Sequence, residues 1–339
     1  MFNDFSDTAY EAMVLDNPAP IEQAPLRREA RALPPLAPGC VRLRVRACGV
    51  CRTDLHIVEG ELPPKGRPVV PGHQIVGDVI GTNHAQTQVG ARVGVSWIAA
   101  FDGSCEYCRS GKENLCDSAR FTGYDVNGGY ANYADVDGDF VFRLPSGLDD
   151  LHAAPLLCAG IIGFRSLRVA GVVRGERVGL FGFGASAHLA LQVLRHWNCA
   201  TYVSTRGESH RALARSLGAR WVGGATEVPP AGLHRAITFA PSGEVVVAAL
   251  SSLRKGGVVA INAVHLDRMP QFDYDRLLWG ERQIRSVTNM TRSDAKDFLV
   301  LAADIGIRSS VQAFPLLQAN EALAQLKHDR INGSAVLLP

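Results

Sequence analysis

Val178-Gly179-Leu180-Phe181-Gly182-Phe183-Gly184-Ala185-Ser186-Ala187 is the stretch of sequence that decides the fold. It begins with a short apolar run that predicts a strand, and Ser186–Trp197 then predicts a helix. The glycines between them follow G-x-G-x-x-A, an accepted variant of the dinucleotide-binding pattern. A purely structural glycine turn is the alternative, but the position between strand and helix favours nucleotide binding. We expect cofactor contacts from Gly182, Gly184, Ala185 and Ser186.

The segments that follow this turn alternate between strand and helix signals. Ala236–Phe239 and Val258–Ile261 are strand-like runs, and helix-like segments lie between them. Such alternation predicts an α/β doubly wound parallel sheet. Before about Ala153 the pattern differs, because short apolar runs broken by Gly and Pro predict a small β-rich domain. The tail predicts two helices and a last strand, Ala335–Leu338.

The end of the second predicted strand bears on which nucleotide binds. An NAD site places Asp or Glu there, roughly 20 residues after the glycines. This chain has Ser204-Thr205-Arg206-Gly207 instead, with no acid before Glu208. Thr205 and Arg206 could bind a 2′-phosphate by charge-assisted hydrogen bonds, which favours NADP(H) over NAD(H). The alternative is that Arg206 is a solvated surface residue and Glu208 turns toward the ribose.

Three separated segments each offer a ligand for a zinc ion. They contain Cys51, His73 and Cys158. Two thiolates and one imidazole form the set that catalytic zinc uses when a fourth position stays open for water or substrate. Such a zinc is a Lewis acid toward a bound alcohol or carbonyl. The pattern therefore predicts zinc-assisted redox chemistry.

Composition excludes several other classes of protein. The 339 residues carry a net charge of +2, too balanced for a nucleic-acid surface. Met1–Tyr10 lacks the basic and apolar parts of a signal peptide, and the longest apolar run is too short to span a membrane. Eight cysteines without such a signal indicate metal and thiol chemistry. We therefore expect a cytoplasmic protein without a nucleic-acid or membrane partner.

Together these motifs resemble the zinc-dependent alcohol dehydrogenases of the medium-chain dehydrogenase/reductase superfamily, over nearly the whole chain. The resemblance is carried by four segments: Cys48–His56, Pro71–His73, Gly103–Cys116 and the glycine turn. It implies a GroES-like β-rich catalytic domain, residues 1–155 with 290–339, and a Rossmann nucleotide-binding domain, residues 156–289. It also implies that Cys51, His73 and Cys158 bind the catalytic zinc.

The residues around Cys51 gain roles from the same resemblance. It implies a proton relay from Thr53 through the cofactor ribose to His56, which suits a hydroxyl and an imidazole because both can accept and donate protons. Asp54 is the expected partner that orients His73. Arg52 would contact the cofactor pyrophosphate. The family usually has Glu after the ligand histidine and Arg in the last strand, where this chain has Gln74 and Ser334.

A second metal lobe also departs from the family pattern. Four cysteines usually hold a structural zinc there, but this chain has Asp102 with Cys105, Cys108 and Cys116. Because a carboxylate oxygen is a legitimate zinc ligand, we expect an occupied Asp-Cys₃ site. A metal-free loop with three thiols is the alternative.

The substrate is a small-molecule alcohol or aldehyde by resemblance, and Leu62, Trp97 and Tyr124 are the expected pocket residues. Leu62 replaces the Trp of many small-alcohol enzymes, which favours larger primary alcohols or aldehydes. A zinc polyol or sugar dehydrogenase using NAD and a non-catalytic nucleotide-binding sensor are the alternatives. Zinc-free quinone reductases lack the ligand triad. The chain length resembles that of tetrameric microbial enzymes, so a homo-oligomer is expected.

Overall fold

The computed structural model describes residues 9–62 and 65–339. The chain divides into two compact units. The first runs to Cys158 and also contains Thr291–Ala303 and Ser309–Pro339, and the second contains Ala159–Met290 and Asp304–Arg308.

The secondary structure follows in chain order. The strands are β1 (Ala9–Leu15), β2 (Leu26–Ala32), β3 (Cys40–Val50), β4 (Gln74–Thr82), β5 (Arg92–Val95), β6 (Ile98–Ala100), β7 (Arg120–Phe121), β8 (Tyr133–Asp137), β9 (Val141–Arg143), β10 (Arg177–Phe181), β11 (Ala200–Ser204), β12 (Trp221–Gly223), β13 (Leu233–Thr238), β14 (Leu253–Ile261), β15 (Gln283–Ser286), β16 (Val311–Pro315) and β17 (Ser334–Leu338). The α-helices are α1 (Arg52–Glu59), α2 (Glu106–Arg109), α3 (Asp150–Ala153), α4 (Ala159–Ala170), α5 (Ala185–His196), α6 (Glu208–Ser216), α7 (Gly243–Ser251), α8 (Tyr274–Leu277), α9 (Arg292–Asp304) and α10 (Ala319–Lys327). Short 3₁₀ helices are Ile21–Gln23, Glu113–Leu115, Gly138–Phe140, Ala154–Leu157 and Leu316–Gln318.

The second unit is built on a six-stranded sheet in the order β12-β11-β10-β13-β14-β15. Every pairing in it is parallel, so the predicted doubly wound sheet is confirmed. The strand order reverses between β10 and β13, and ligands of such sheets bind at the carboxyl ends of the strands beside that point. The glycine turn follows β10 and therefore lies at the expected nucleotide crevice.

The first unit is centred on a sheet in the order β16-β17-β3-β4-β5-β9, with β8 paired to β3. The alternation of apolar and basic residues along β3 predicts one buried face, and Val41, Leu43 and Val45 are indeed buried. Arg42 departs from this pattern because it is also buried, with its guanidinium 2.7 Å from the Asp135 carboxylate on β8. The C-terminal strand β17 pairs antiparallel with β3 at Cys48–Val50. The pairing of β17 with β3 therefore stops directly before Cys51, in the first predicted zinc-ligand segment.

Within the described ranges, no single helix is both long and apolar enough to cross a bilayer, although one bent pair, Asp150–Leu157 with Ala159–Ala170, reaches that length and composition together.

Candidate metal centre and nucleotide-binding turn

Three predicted zinc ligands converge in the first unit. Cys51 lies between β3 and α1, His73 directly precedes β4, and Cys158 follows the 3₁₀ helix Ala154–Leu157. The two sulfur atoms are 4.0 Å apart, and one ligand atom from each of the three residues lies within 4.8 Å of the others. Since zinc–sulfur and zinc–nitrogen bonds are about 2.0–2.3 Å long, one ion placed among these atoms could reach all three.

The imidazole of His73 has one nitrogen available for a metal. His73 is fully buried, and its Nδ1 lies 2.9 Å from Oδ1 of Asp54. Its Nε2 is buried and has no hydrogen-bond partner among the residues that the structure describes. A buried polar atom without a partner is costly, and a metal ion would satisfy this one. The donor set thus fits zinc in the Cys₂His arrangement.

Asp54 organises the residues around this cluster. Its carboxylate is fully buried and accepts a hydrogen bond from the backbone N–H of Cys51 at 2.9 Å. It also accepts one from the Tyr130 hydroxyl at 3.2 Å, in addition to its contact with His73. Tyr130 is missing from the sequence prediction because it lies 76 residues away and carries no motif. One carboxylate therefore fixes a ligand backbone, a ligand ring and a buried phenol.

Proton affinities in the cluster are strongly perturbed. Burial is the largest single influence on the pKa of His73 and lowers it, but the charge and hydrogen bond of Asp54, together with the nearby Cys51 sulfur, raise the value to about 10. The hydrogen bond with Cys158 lowers the pKa of Cys51 and raises that of Cys158. The metal-free pair therefore shares one proton, and a metal ion held by both thiolates and by Nε2 of His73 would displace the protons that these groups carry.

Helix α1 carries the residues predicted for proton transfer and pyrophosphate binding. Thr53 and His56 are half-buried and lie three residues apart, hence on one side of the helix. Arg52 is exposed at the first helical position. The carboxylate of Glu61 contacts Nδ1 of His56, a pairing that sequence reasoning missed.

Aromatic rings adjoin the ligand histidine. The Trp97 ring lies edge-on to His73, with 4.9 Å between centroids, and stacks on Phe121 at 4.9 Å and on Tyr124 at 6.1 Å. The ammonium of Lys65 lies 5.6 Å from the Phe121 centroid and 5.3 Å from that of Tyr124. Leu62 packs against the same core cluster as Trp97. Of this group, the sequence prediction lacked Phe121 and Lys65.

The four predicted residues of the second lobe also converge. Asp102, Cys105, Cys108 and Cys116 each place a ligand atom within 4.8 Å of the others. Oδ1 of Asp102 accepts the backbone N–H groups of Ser104 and Cys105 at 2.7 and 2.8 Å, which lowers the pKa of this carboxyl group. Its Oδ2 lies 3.3 Å from the Cys116 sulfur. One oxygen is thus held by the loop, and the other faces the thiols.

The glycine turn has the geometry that nucleotide binding needs. Gly182 has φ of +88°, and a Cβ on it would lie 3.0 Å from the Ala240 nitrogen. Gly184 precedes the first residue of α5, Ala185, and a Cβ there would meet no atom within 4 Å. The space beside Gly184 is therefore open to an approaching phosphate at the helix N-terminus. Helix α5 begins one residue before its predicted start.

The loop after β11 presents one cation and no free acid. Thr205 is buried, whereas Arg206 is exposed. Glu208 begins α6, and its carboxylate pairs with Arg215 at 2.8 Å and with Arg211 at 3.6 Å. The acid that could have contacted a ribose is thus occupied by guanidinium groups of its own helix.

The two positions that depart from the family pattern are both buried. Gln74 is 2% exposed and Ser334 is 4% exposed, at the starts of β4 and β17. Both residues are uncharged, so neither leaves a buried charge without a partner at these positions.

Comparisons with known proteins agree with this geometry. Residues 37–146 match the family model of the alcohol dehydrogenase GroES-like domain. The chain is 46% identical over 328 residues to the probable alcohol dehydrogenase AdhA of Mycobacterium tuberculosis, covering 95% of each protein. It is 33% identical over 328 residues to an alcohol dehydrogenase of Geobacillus stearothermophilus, covering 92% of this chain and 96% of the relative.

A solved structure shows the same architecture. The alcohol dehydrogenase of the archaeon Aeropyrum pernix superposes with a TM-score of 0.85 at 26% identity. The match covers 97% of this chain and 100% of the archaeal one. A GroES-like domain together with a Rossmann-type parallel sheet is therefore confirmed as the fold.

Proposed function

Because this chain belongs to the alcohol dehydrogenases of the medium-chain dehydrogenase/reductase superfamily, we propose that it transfers hydride between a zinc-bound primary alcohol or aldehyde and NADP(H). The observation that carries the proposal is the convergence of Cys51, His73 and Cys158, in which the buried Nε2 of the histidine has no partner among the described residues. Three protein ligands leave a fourth coordination position for substrate, as catalytic zinc requires.

The residues of the cluster have distinct tasks. Cys51, His73 and Cys158 would hold the ion, and Asp54 orients His73 through Nδ1. When bound, zinc supplies Lewis acidity toward the oxygen of an alcohol or aldehyde. The Trp97 ring, in edge contact with His73, would form an apolar wall beside the open coordination position and would limit the access of water to it.

Proton movement falls to the side chains of α1. The Thr53 hydroxyl both accepts and donates a hydrogen bond, so it can remove a proton from a substrate oxygen while passing its own onward. His56 is half-buried and can exchange protons with solvent. We propose that Thr53, the cofactor ribose and His56 form the proton path that the family resemblance implies.

The cofactor preference follows from charge. The nicotinamide group supplies the hydride chemistry when bound, and Gly182, Gly184, Ala185 and Ser186 would hold the pyrophosphate. By family resemblance Arg52 is also proposed as a pyrophosphate contact. Thr205 and Arg206 would face the ribose 2′ position, and the Arg215 pairing of Glu208 supports a 2′-phosphate there. The cofactor is therefore NADP(H) in this proposal.

Initial rates with NADPH and NADH, over a panel of alcohols and aldehydes, test the proposal. We expect higher kcat/KM with NADPH, and Arg206→Gln should cost about 2 kcal/mol with NADPH, roughly 30-fold, because a charge-assisted bond is lost. With NADH the change should stay within about 2-fold. Arg220→Gln is the matched control, since Arg220 is exposed and precedes β12, at the amino ends of the strands, whereas Arg206 follows the carboxyl end of β11. Equal or better wild-type activity with NADH would contradict the cofactor assignment.

We propose that the substrate pocket accepts primary alcohols or aldehydes larger than ethanol. Leu62 is smaller than the Trp common in small-alcohol relatives, and the Trp97–Phe121–Tyr124 stack offers a flat apolar wall. The same panel therefore includes ethanol, hexanol and benzyl alcohol, and a sharp preference for ethanol would oppose this assignment. A polyol or sugar dehydrogenase using NAD would oxidise polyols best, and a nucleotide sensor would bind NADP(H) without turnover.

We also propose a homo-oligomer, with a tetramer favoured by chain length.

The second lobe should hold a zinc ion of its own. We expect two zinc ions per chain in the wild-type protein and one in Asp102→Ala, because Oδ2 of Asp102, which faces the thiols, completes the ligand set. Asp117→Ala is the control, being an exposed neighbour of Cys116. Metal counting on purified protein measures the outcome, and a single zinc in fully folded wild-type protein would overturn this assignment.

A further inference from the structure

The carboxylate of Glu61 contacts the one imidazole that the proposed proton path uses. It meets Nδ1 of His56, the histidine on the last turn of α1. The His56 side chain is 20% exposed, and that of Glu61 is 49% exposed. Neither the three proposed metal ligands nor Asp54 takes part in this contact.

The backbone after α1 places Glu61 over His56. The helix ends at Glu59, and Gly60 turns the chain with φ of +80°. The N–H of Leu62 then donates to the carbonyl of His56 at 3.2 Å, which closes the loop. A Cβ at Gly60 would lie 2.8 Å from Cβ of Pro18, so the turn is confined on its outer side as well. This turn therefore holds Glu61 beside the His56 ring.

The chemistry of a carboxylate sets the protonation pattern of the ring. An ionised carboxylate only accepts hydrogen bonds, so neutral His56 must donate from Nδ1. The proton of the neutral ring then sits on Nδ1, and Nε2 carries the free lone pair. A neutral histidine in water favours the opposite tautomer, with the proton on Nε2, which cannot accept a proton at that atom.

We propose that Glu61 is a positioning residue that holds His56 in the Nδ1–H tautomer, with Nε2 free to accept the proton of the reaction. The inference rests on the proposed function, because it presumes that His56 belongs to the proton path. Glu61 lies outside the motif Cys48–His56, and the turn at Gly60 would contribute to the reaction by keeping Glu61 in contact with His56. In this step Nε2 of neutral His56 accepts one proton, and the resulting imidazolium then releases one proton to solvent.

Glu61→Leu tests the inference, and Glu61→Gln serves as the conservative variant. In the zinc-loaded enzyme with ¹⁵N-labelled histidine, Glu61→Leu should shift neutral His56 toward the Nε2–H tautomer. Single-turnover alcohol oxidation should slow roughly 10-fold, because part of the general-base contribution is lost. Glu61→Gln keeps an amide oxygen that accepts from Nδ1, so we expect less than about a 3-fold loss.

Glu22→Leu is the matched control. Glu22 is 48% exposed, close to the exposure of Glu61, and also contacts a histidine, His328, at 3.3 Å. It should change neither the His56 tautomer nor the rate.

The outcomes separate the inference from the proposed function. An unchanged His56 tautomer in Glu61→Leu overturns the inference whatever the rate does. A changed tautomer with an unchanged single-turnover rate also overturns it, because His56 then carries no proton in the reaction. If the wild-type enzyme oxidised no alcohol while the tautomer still shifted in Glu61→Leu, the proposed function would fail and the Glu61 contact would stand.

Discussion

Asp54→Asn should lower the affinity of the first-unit cluster for Zn²⁺ by roughly 10–100-fold. The three groups that surround this carboxylate are all donors: the N–H of Cys51, Nδ1–H of His73 and the hydroxyl of Tyr130. An amide offers one accepting oxygen, so its NH₂ group must face at least one of these donors. In a fully buried site such a clash is expensive, and the His73 ring loses its fixed orientation.

Competition with a chelator of known affinity measures this loss, and metal-dependent thermal stability gives an independent reading. Tyr130→Phe is the control, because it removes one donor at 3.2 Å and leaves the contact with His73 in place. Its effect on zinc affinity should be several-fold smaller. If Asp54→Asn kept wild-type zinc affinity, Asp54 would not be the residue that orients His73.

Gly72→Ala should destabilise the folded protein by about 4 kcal/mol, the sum of a strained backbone and an overfilled core. Gly72 has φ of +96°, and a Cβ there would lie 2.3 Å from Cδ1 of Tyr130 and 2.9 Å from the sulfur of Cys48. Both neighbours are fully buried and have no room to move. Because His73 is the next residue, the change should also reduce the zinc content at neutral pH.

Gly39→Ala measures the backbone part of that cost alone, so its difference from Gly72→Ala gives the steric part. Gly39 has φ of +75°, but a Cβ there would meet nothing within 4 Å, so only the backbone penalty of about 1–2 kcal/mol applies. Denaturant unfolding of metal-free protein compares the two variants. Equal free energies of unfolding would show that the packing around Tyr130 accommodates a methyl group at Gly72.

The parts of this protein that sequence could predict are those with short-range signals. The glycine turn after β10 carries its own strand and helix context, so the doubly wound sheet follows from local pattern. The proposed metal ligands are recognisable because Cys51, His73 and Cys158 are chemically rare residue types set in a family-like pattern. In these cases one segment, or one residue type, contains most of the information.

The remaining features depend on long-range register or on exposed turns. Arg42 looks like a solvated residue in its strand, and only the pairing of β3 with β8 brings Asp135 beside it. Tyr130 lies in a loop and Phe121 ends the two-residue strand β7, and no periodicity in the sequence predicts either position. Strands β1 and β2 are not predicted from the sequence: β2 is rich in charged residues, and the two strands pair only with each other. Glu61 is close to His56 in sequence, but its contact depends on the turn at Gly60.

The pairing of β17 with β3 imposes an order on the biosynthesis of the enzyme. Residues Ala335–Leu337 lie against Cys48–Val50, although the whole second unit separates them along the chain. While the ribosome is still making that unit, β3 lacks this neighbour, and the strand that leads into Cys51 has an open edge. The second unit has most of its residues in one continuous stretch and can collapse first. We therefore expect stable zinc binding at Cys51 only after β17 has been synthesised and has paired with β3.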